Sequence, residues 1–459
     1  MKNEILKLVR KKSFYVVTFI FILFCILTNV VYRTLISEEE FVSVSIEELE
    51  EENRTFDLNN SDDLIRYVEN LTLIYQEQLK EEYSSDVQEY LINHFLYTTI
   101  YRMYESEYIL DDQELAQEYS EELEQDVSRV RNNDWEFFLD ERIAYLEERA
   151  SQATGVEQLR YQKLLELAYY RKNENVSYDP NSYLHRSLEF LEENMVEYIN
   201  LQNAEYLTDT EKDRLAFLME EMSIHEYVID EKEDLLNEHT LRAVLIHFPS
   251  EFGLFILIYV IMIAGSIVSE EFSRGTIKSL LTKPYQRRTI LTSKLLVVLL
   301  LIPIIMIFMS LLEILIGGVI LGFDSLNVPV VLYSNGVIQS FSVLGYLFLL
   351  LLGVLPMYLI LGILAFMIST ITLSTSAAIT ISFLFYLLAN VVSNLALVYD
   401  WKFFKVFISL YWDFTYLVTS SPQPYGISIL TSVLVLIFYA IVMLCLSYVI
   451  FVKKDVKNI

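Results

Sequence analysis

Between Asp324 and Asp400 the chain runs for 75 residues without one charged side chain. As helix, at about 1.5 Å per residue, that stretch is far longer than the ~30 Å hydrocarbon core of a bilayer, so it must cross and return. The Ser/Thr-rich break at 369–376 divides it into two apolar runs, 337–369 and 373–398. Four further runs stand elsewhere, at 14–32, 252–268, 295–322 and 426–452. The first resembles a signal peptide, but it is 19 residues long and ends in Asn29, Val30, Val31 and Tyr32 rather than in small residues, which predicts an uncleaved membrane helix. Six transmembrane helices are expected.

Charge is divided as sharply as hydropathy. Residues 33–247 hold 18 Lys/Arg against 53 Asp/Glu, a balance of −35 within a formal net charge of −28. The flanking parts are slightly basic. This predicts an all-α membrane protein in which a large, acidic, helical extracytoplasmic domain (35–245) is inserted between transmembrane helix 1 (13–34) and helices 2–6 (246–459). Residues 1–12, with five basic side chains among Ile5, Leu6, Leu8 and Val9, read as a cytoplasmic interfacial helix on the anionic inner leaflet. Lys and Arg cluster before the first run, after the second (274–294) and after the sixth (453–457). Such residues are retained inside, which places both termini in the cytoplasm of a bacterial plasma membrane.

Within the acidic block, Leu64, Tyr67, Val68, Leu71, Ile74 and Tyr75 form one apolar stripe at helical spacing. Segments 61–80, 86–105, 135–149, 156–172, 183–201 and 210–221 follow the same pattern, with Thr208 or Asp209 as the cap of the last. The acidity suits attraction of cationic peptides or cations, and equally a merely solvated surface. Cys25 and Cys445, the only cysteines, lie in apolar runs and form no disulfide framework. The five histidines are scattered without metal-ligand spacing, and no metal, cofactor or nucleic-acid partner is expected.

The segment after the second run, 269–289, reads as a short amphipathic helix at the membrane surface, ended by Pro284. Its residues Glu271, Gly275, Thr276, Leu280, Leu281, Pro284 and Arg287, with Lys294 beyond, resemble the loop between the first core helices of ABC-2 type ABC-transporter permeases. Ser273 and Ser293 depart from that pattern, where an acid and a glycine are usual. The resemblance implies a permease subunit that dimerises, with itself or with a second permease, among membrane lipid. It would dock on a separate ABC ATP-binding subunit through a coupling segment that also includes Arg274 and Lys278. The chain carries no GxxxxGK[ST] phosphate loop, so it is not expected to be an enzyme.

Inside the spans, Glu313 is the sole charge between Lys294 and Asp324, and an ionisable residue at that depth is a candidate for a pathway or an interface. Asn390 and Asn394 in the fifth run are candidates of the same kind, and all three residues suit helix-to-helix bonding as well. Pro303 and Pro356 fall within spans and suggest kinks. Trp401, Tyr411, Trp412 and Tyr416 are expected at the outer interface. These features fit the permease of an exporter for peptides, antibiotics or lipid-like compounds. The alternative is a mechanotransmitting or sensing membrane protein, whose extracytoplasmic domain regulates an outer partner.

Overall fold

The computed structural model describes residues 11–34, 46–80, 85–204, 206–235, 237, 239–276, 286–334, 336–398, 407–419 and 427–453. In chain order these form α1 (Lys12–Thr34), α2 (Ile46–Asn53), α3 (Ser61–Lys80), α4 (Asp86–Leu91), a π-helical turn (Ile92–Leu96), α5 (Tyr97–Tyr108) and α6 (Gln113–Arg131). Then come α7 (Trp135–Gln152), α8 (Val156–Asn173), α9 (Tyr183–Gln202), α10 (Asp209–Glu231), α11 (Leu241–Ile246), α12 (Phe248–Ser273) and α13 (Arg287–Leu321). A 3₁₀ turn (Asp324–Asn327), β1 (Val330–Ser334), β2 (Val337–Phe341), α14 (Val343–Thr372), α15 (Thr375–Val398), a 3₁₀ turn (Ile408–Leu410), α16 (Tyr416–Thr419) and α17 (Ile429–Lys453) complete the order.

Two compact units result. One holds Met1–Ser37, Asn237–Ser334 and Gln339–Ile459, the other Glu38–Leu236 with Asn335–Ile338. In the first, α1, α12, α13, α14, α15 and α17 are each long and apolar enough to cross a membrane. The protein is therefore a multi-pass membrane protein built from helices. α12 is the axis of this unit, buried along most of its length, whereas α1, α15 and α17 bury little of theirs. It packs on α14, α15 and α13, while α1 lies chiefly on α13 and α17 chiefly on α14. The outward faces of the peripheral helices stay apolar, as contact with hydrocarbon requires. α13 and α14 continue as helix through Pro303 and Pro356.

The run read as one span at 337–369 is corrected at its start. Val337–Phe341 pairs with Val330–Ser334 as a two-stranded hairpin, and helix begins only at Val343, where Ser342 Oγ accepts from Gly345 N at 3.2 Å. The β-branched run before the Asn335-Gly336 dipeptide is a hairpin signal that apolarity alone conceals. Tyr411 and Trp412 are buried in the core of the unit, and Trp401 lies outside the described residues. The interfacial helix expected at 1–12 also lies outside them, apart from Lys11 and Lys12.

The second unit is a helical assembly whose main core gathers Leu64 and Val68 of α3, Leu91 to Ile100 of α4 and α5, Val130 of α6, and Phe138 and Leu139 of α7. A second core joins Leu188, Leu191 and Ile199 of α9 to Met222 and Ile229 of α10. Breaks follow local chemistry. Asn133 and Asn175 take left-handed backbone, which asparagine tolerates, directly after α6 and α8. Thr208 caps α10 through a reciprocal box in which Glu211 N donates to Thr208 Oγ1 at 3.3 Å and Thr208 N donates to Glu211 Oε2 at 2.8 Å. The helix expected at 86–105 is interrupted by the π turn and runs on to Tyr108. α6 was not among the helices expected, because it buries little beyond Ala116, Leu123 and Val130.

Candidate functional site

α12 ends on two adjacent carboxylates, and successive helical positions point about 100° apart, so each meets a different neighbour. Lys11 Nζ, just before α1, lies 2.8 Å from Glu270 Oε1 and donates to Ser266 Oγ at 2.8 Å. Lys294 of α13 lies 2.8 Å from Glu271 Oε1 and donates to the Ile267 carbonyl at 3.0 Å. The Lys294 and Glu271 side chains are only 3% and 10% exposed. Charges so placed persist because each compensates the other and accepts or donates further bonds. Ser269 Oγ meets Thr375 Oγ1 at 2.6 Å, which brings the Ser/Thr break between α14 and α15 to the same end. We call this the motif end.

Beyond Ser273 the backbone turns away. Gly275 has φ +69, a conformation that favours glycine, and its N–H closes the helix on the Phe272 carbonyl at 3.1 Å. Arg274, Gly275 and Thr276 are exposed, and Thr276 Oγ1 reaches back to the Glu271 carbonyl at 3.4 Å. Where the described chain resumes, Arg287 Nη1 donates to the Val452 carbonyl of α17 at 3.2 Å. Of the residues expected in the coupling segment, Lys278, Leu280, Leu281 and Pro284 lie outside the described residues. The structure thus joins Glu271 to Lys294, exposes Arg274 to Thr276, and turns Arg287 toward the last turn of α17.

At the opposite end, Glu313 of α13 is fully buried and so is Asn29 of α1. Asn29 Nδ2 donates to Glu313 Oε1 at 2.6 Å and to the Cys25 carbonyl at 2.8 Å. Tyr32 Oη donates to Glu251 Oε1 of α12 at 2.5 Å. α1, apolar and exposed over much of its surface, is therefore fastened to both α12 and α13 by polar groups. Among the described residues no hydrogen bond ties Asn390 or Asn394 to Glu313; both stand on α15, the first half-buried and the second exposed. Sequence reasoning missed Lys11, Glu270, Asn29, Tyr32 and Glu251 as members of these networks. A polar residue inside an apolar run was the available signal for Asn29.

The acidic unit hides one cationic side chain completely. Arg171 of α8 has no exposure; its guanidinium stands 4.3 Å from the centre of the Tyr178 ring, Nη1 is 3.0 Å from His185 Nδ1, and Nη2 is 3.7 Å from Glu192 Oε1. Arg142 of α7 lies 3.0 Å from the other Glu192 oxygen. Burial, with the Arg171 charge alongside, pushes the His185 imidazole down to about 3. Burial likewise pushes His225 down to about 4 and Tyr178 up to about 12. Arg142, Arg171, His185 and Glu192 link α7, α8 and α9, and no cluster of metal-binding type is found among the described residues.

Comparison with known proteins agrees with the membrane architecture. The chain is 30% identical over 206 residues to the Uncharacterized protein YhcI of Bacillus subtilis (strain 168), a match that covers 44% of this chain and 64% of that protein. The chain thus spans somewhat under two thirds of the relative's length. No solved structure matches. The family of ABC-2 family transporter proteins matches residues 1–456. With six spans and a family match over almost its whole length, this chain belongs to the ABC-2 family transporter proteins.

Proposed function

We propose that the chain is the permease subunit of an ATP-driven exporter, powered by a separate ABC ATP-binding subunit that docks on segment 269–289. The substrate class is a peptide, an antibiotic or a lipid-like compound. In this reading the motif end faces the cytoplasm with both termini, the acidic unit lies outside the plasma membrane, and two permease subunits form the working dimer. The observation that carries the reading is the contrast at the end of α12. Arg274 to Thr276 are exposed, while the residues directly below them are clamped by Lys11 and Lys294. A push on an exposed turn is transmitted only if its base is stiff, and two Lys–Glu pairs to two different helices supply that stiffness.

The test is a charge reversal confined to exposed positions. Arg274→Glu combined with Thr276→Glu should abolish co-purification of the ATP-binding subunit and ATP-dependent transport while leaving membrane insertion intact. Unchanged association and transport would refute the coupling role. Impermeant labelling of a cysteine placed at Arg274 checks the topology, since reaction from outside intact cells would invert it. Deleting residues 40–238 separates the exporter from a mechanotransmitter, because only an exporter can retain flux without its outer unit.

A further inference from the structure

The end of the span unit opposite the motif contains a cavity of about 750 Å³ that none of the roles above uses. Leu349, Leu352 and Pro356 of α14 form one wall, and Val433 with Ile437 of α17 forms the next. Gln339 of β2 stands at one side, and Phe414 and Leu417 cover the top. Apart from the Gln339 amide, the side chains lining it are apolar.

The cavity is built rather than left between loosely facing helices. Phe414 N donates to the Gly353 carbonyl at 3.0 Å, which bonds the cover to the interior of α14. That approach requires glycine, since a Cβ at Gly353 would lie 2.9 Å from Thr415 N. Asp413 Oδ1 accepts from Thr415 N at 2.8 Å and from Thr415 Oγ1 at 2.7 Å, shaping the turn that holds Phe414 over the wall.

What fills it follows from where it opens. Leu352 and Val433, which line it, are 47% and 39% exposed on helices long and apolar enough to cross a membrane, so its opening suits hydrocarbon better than water. The cavity follows α17 from Ile429 to Ile437, roughly 12 Å at 1.5 Å per residue. Apolar cavities stay dry and take apolar guests, and this one lies in the ~300–1,000 Å³ range of small-molecule sites. An adjoining chain gains dispersion contacts that a bare wall forfeits. The Gln339 amide, the polar side chain of the lining, offers both a donor and an acceptor for an ester group. We infer that the cavity binds an acyl chain of a bilayer phospholipid, entering sideways from the leaflet with its ester region against Gln339. The inference requires only that the chain spans a membrane, not that it exports anything.

Photolabelling decides the matter. The full chain is reconstituted in phosphatidylethanolamine/phosphatidylglycerol vesicles with a trace of phospholipid bearing an acyl-chain diazirine, irradiated, and mapped by mass spectrometry. Label should be enriched at Leu352, Phe414 and Val433 over the outward faces of α13 (Ile304, Leu311) and α15 (Leu384, Leu388). Val433→Trp should fill the recess and abolish that enrichment while the outward faces label as before; Leu352→Trp serves the same purpose should the first variant fail to insert. Equal labelling of recess and outward faces overturns the inference, as does enrichment that survives both substitutions. Cross-links from Phe414 to a second copy of the chain also overturn it, by making the recess a subunit contact.

Discussion

The two units treat charge in opposite ways. The acidic unit displays most of its carboxylates to water, and its surface pairs, such as Arg214 with Glu197 at 2.7 Å, are exposed at both ends. In the span unit the carboxylates of Glu251, Glu270, Glu271 and Glu313 each meet a named partner from another segment. The difference teaches where a charge is informative. In water an ion pair gains little and can be lost at little cost, whereas in a low-dielectric bundle a lone charge is so unfavourable that its partner is specified. The acidic unit obeys the second rule where it too excludes water, at Arg171 and at Asp126, which is held by Arg129 and Thr99.

That contrast can be broken deliberately. The largest effect should follow Lys294→Met, which removes the ammonium 2.8 Å from the buried Glu271 carboxylate and should cost about 3–5 kcal/mol in reversible unfolding from detergent micelles. Adding Glu271→Gln should recover most of the loss, and failure to recover it would mean that the pair is not the unit of stability. Asn29→Leu comes next: it removes the donor held by buried Glu313 and should cost about 1–3 kcal/mol by the same measurement.

Acid provides a third test, within the helical unit. The folded His185 value near 3 lies below the ~6.5 of an unfolded chain, so between those values the unfolded state binds the extra proton. Stability from keeping this imidazole neutral is complete above about pH 6.5 and is lost as pH falls toward 3. His185→Gln should flatten the far-UV melting temperature over that window, and an unchanged slope would place the titration elsewhere. Smaller still, Thr208→Ala should cost about 1 kcal/mol through the lost cap. Arg214→Ala, at an exposed pair, should leave the melting temperature unmoved, and a clear drop would show that the surface of the acidic unit is more than solvated charge.

Much of the fold is legible in residue order because hydrophobic length and period are local properties. The spans at α1, α12, α13, α15 and α17, and helices such as α3 and α7 to α10, follow from them. The hairpin at β1 and β2 was hidden because β-branched and helical apolar runs look alike to hydropathy, and only Asn335-Gly336 marked the turn. α6 was hidden for the opposite reason, since it is polar on most of its surface. At the candidate site, the motif residues Glu271 and Lys294 could be named but not paired. They stand 23 positions apart, and their meeting depends on how α12 and α13 pack.

The order of residues by itself determined that this chain holds six helices apolar and long enough to cross a membrane and an acidic helical insert, because burying backbone in hydrocarbon and solvating carboxylates are demands each segment meets alone. Only the tertiary structure decided that Lys11 grips Glu270, that Asn29 meets Glu313, and that Phe414 closes a recess over Gly353. Those contacts join residues tens to hundreds of positions apart, and the free energy that selects them exists only once helices are packed side by side.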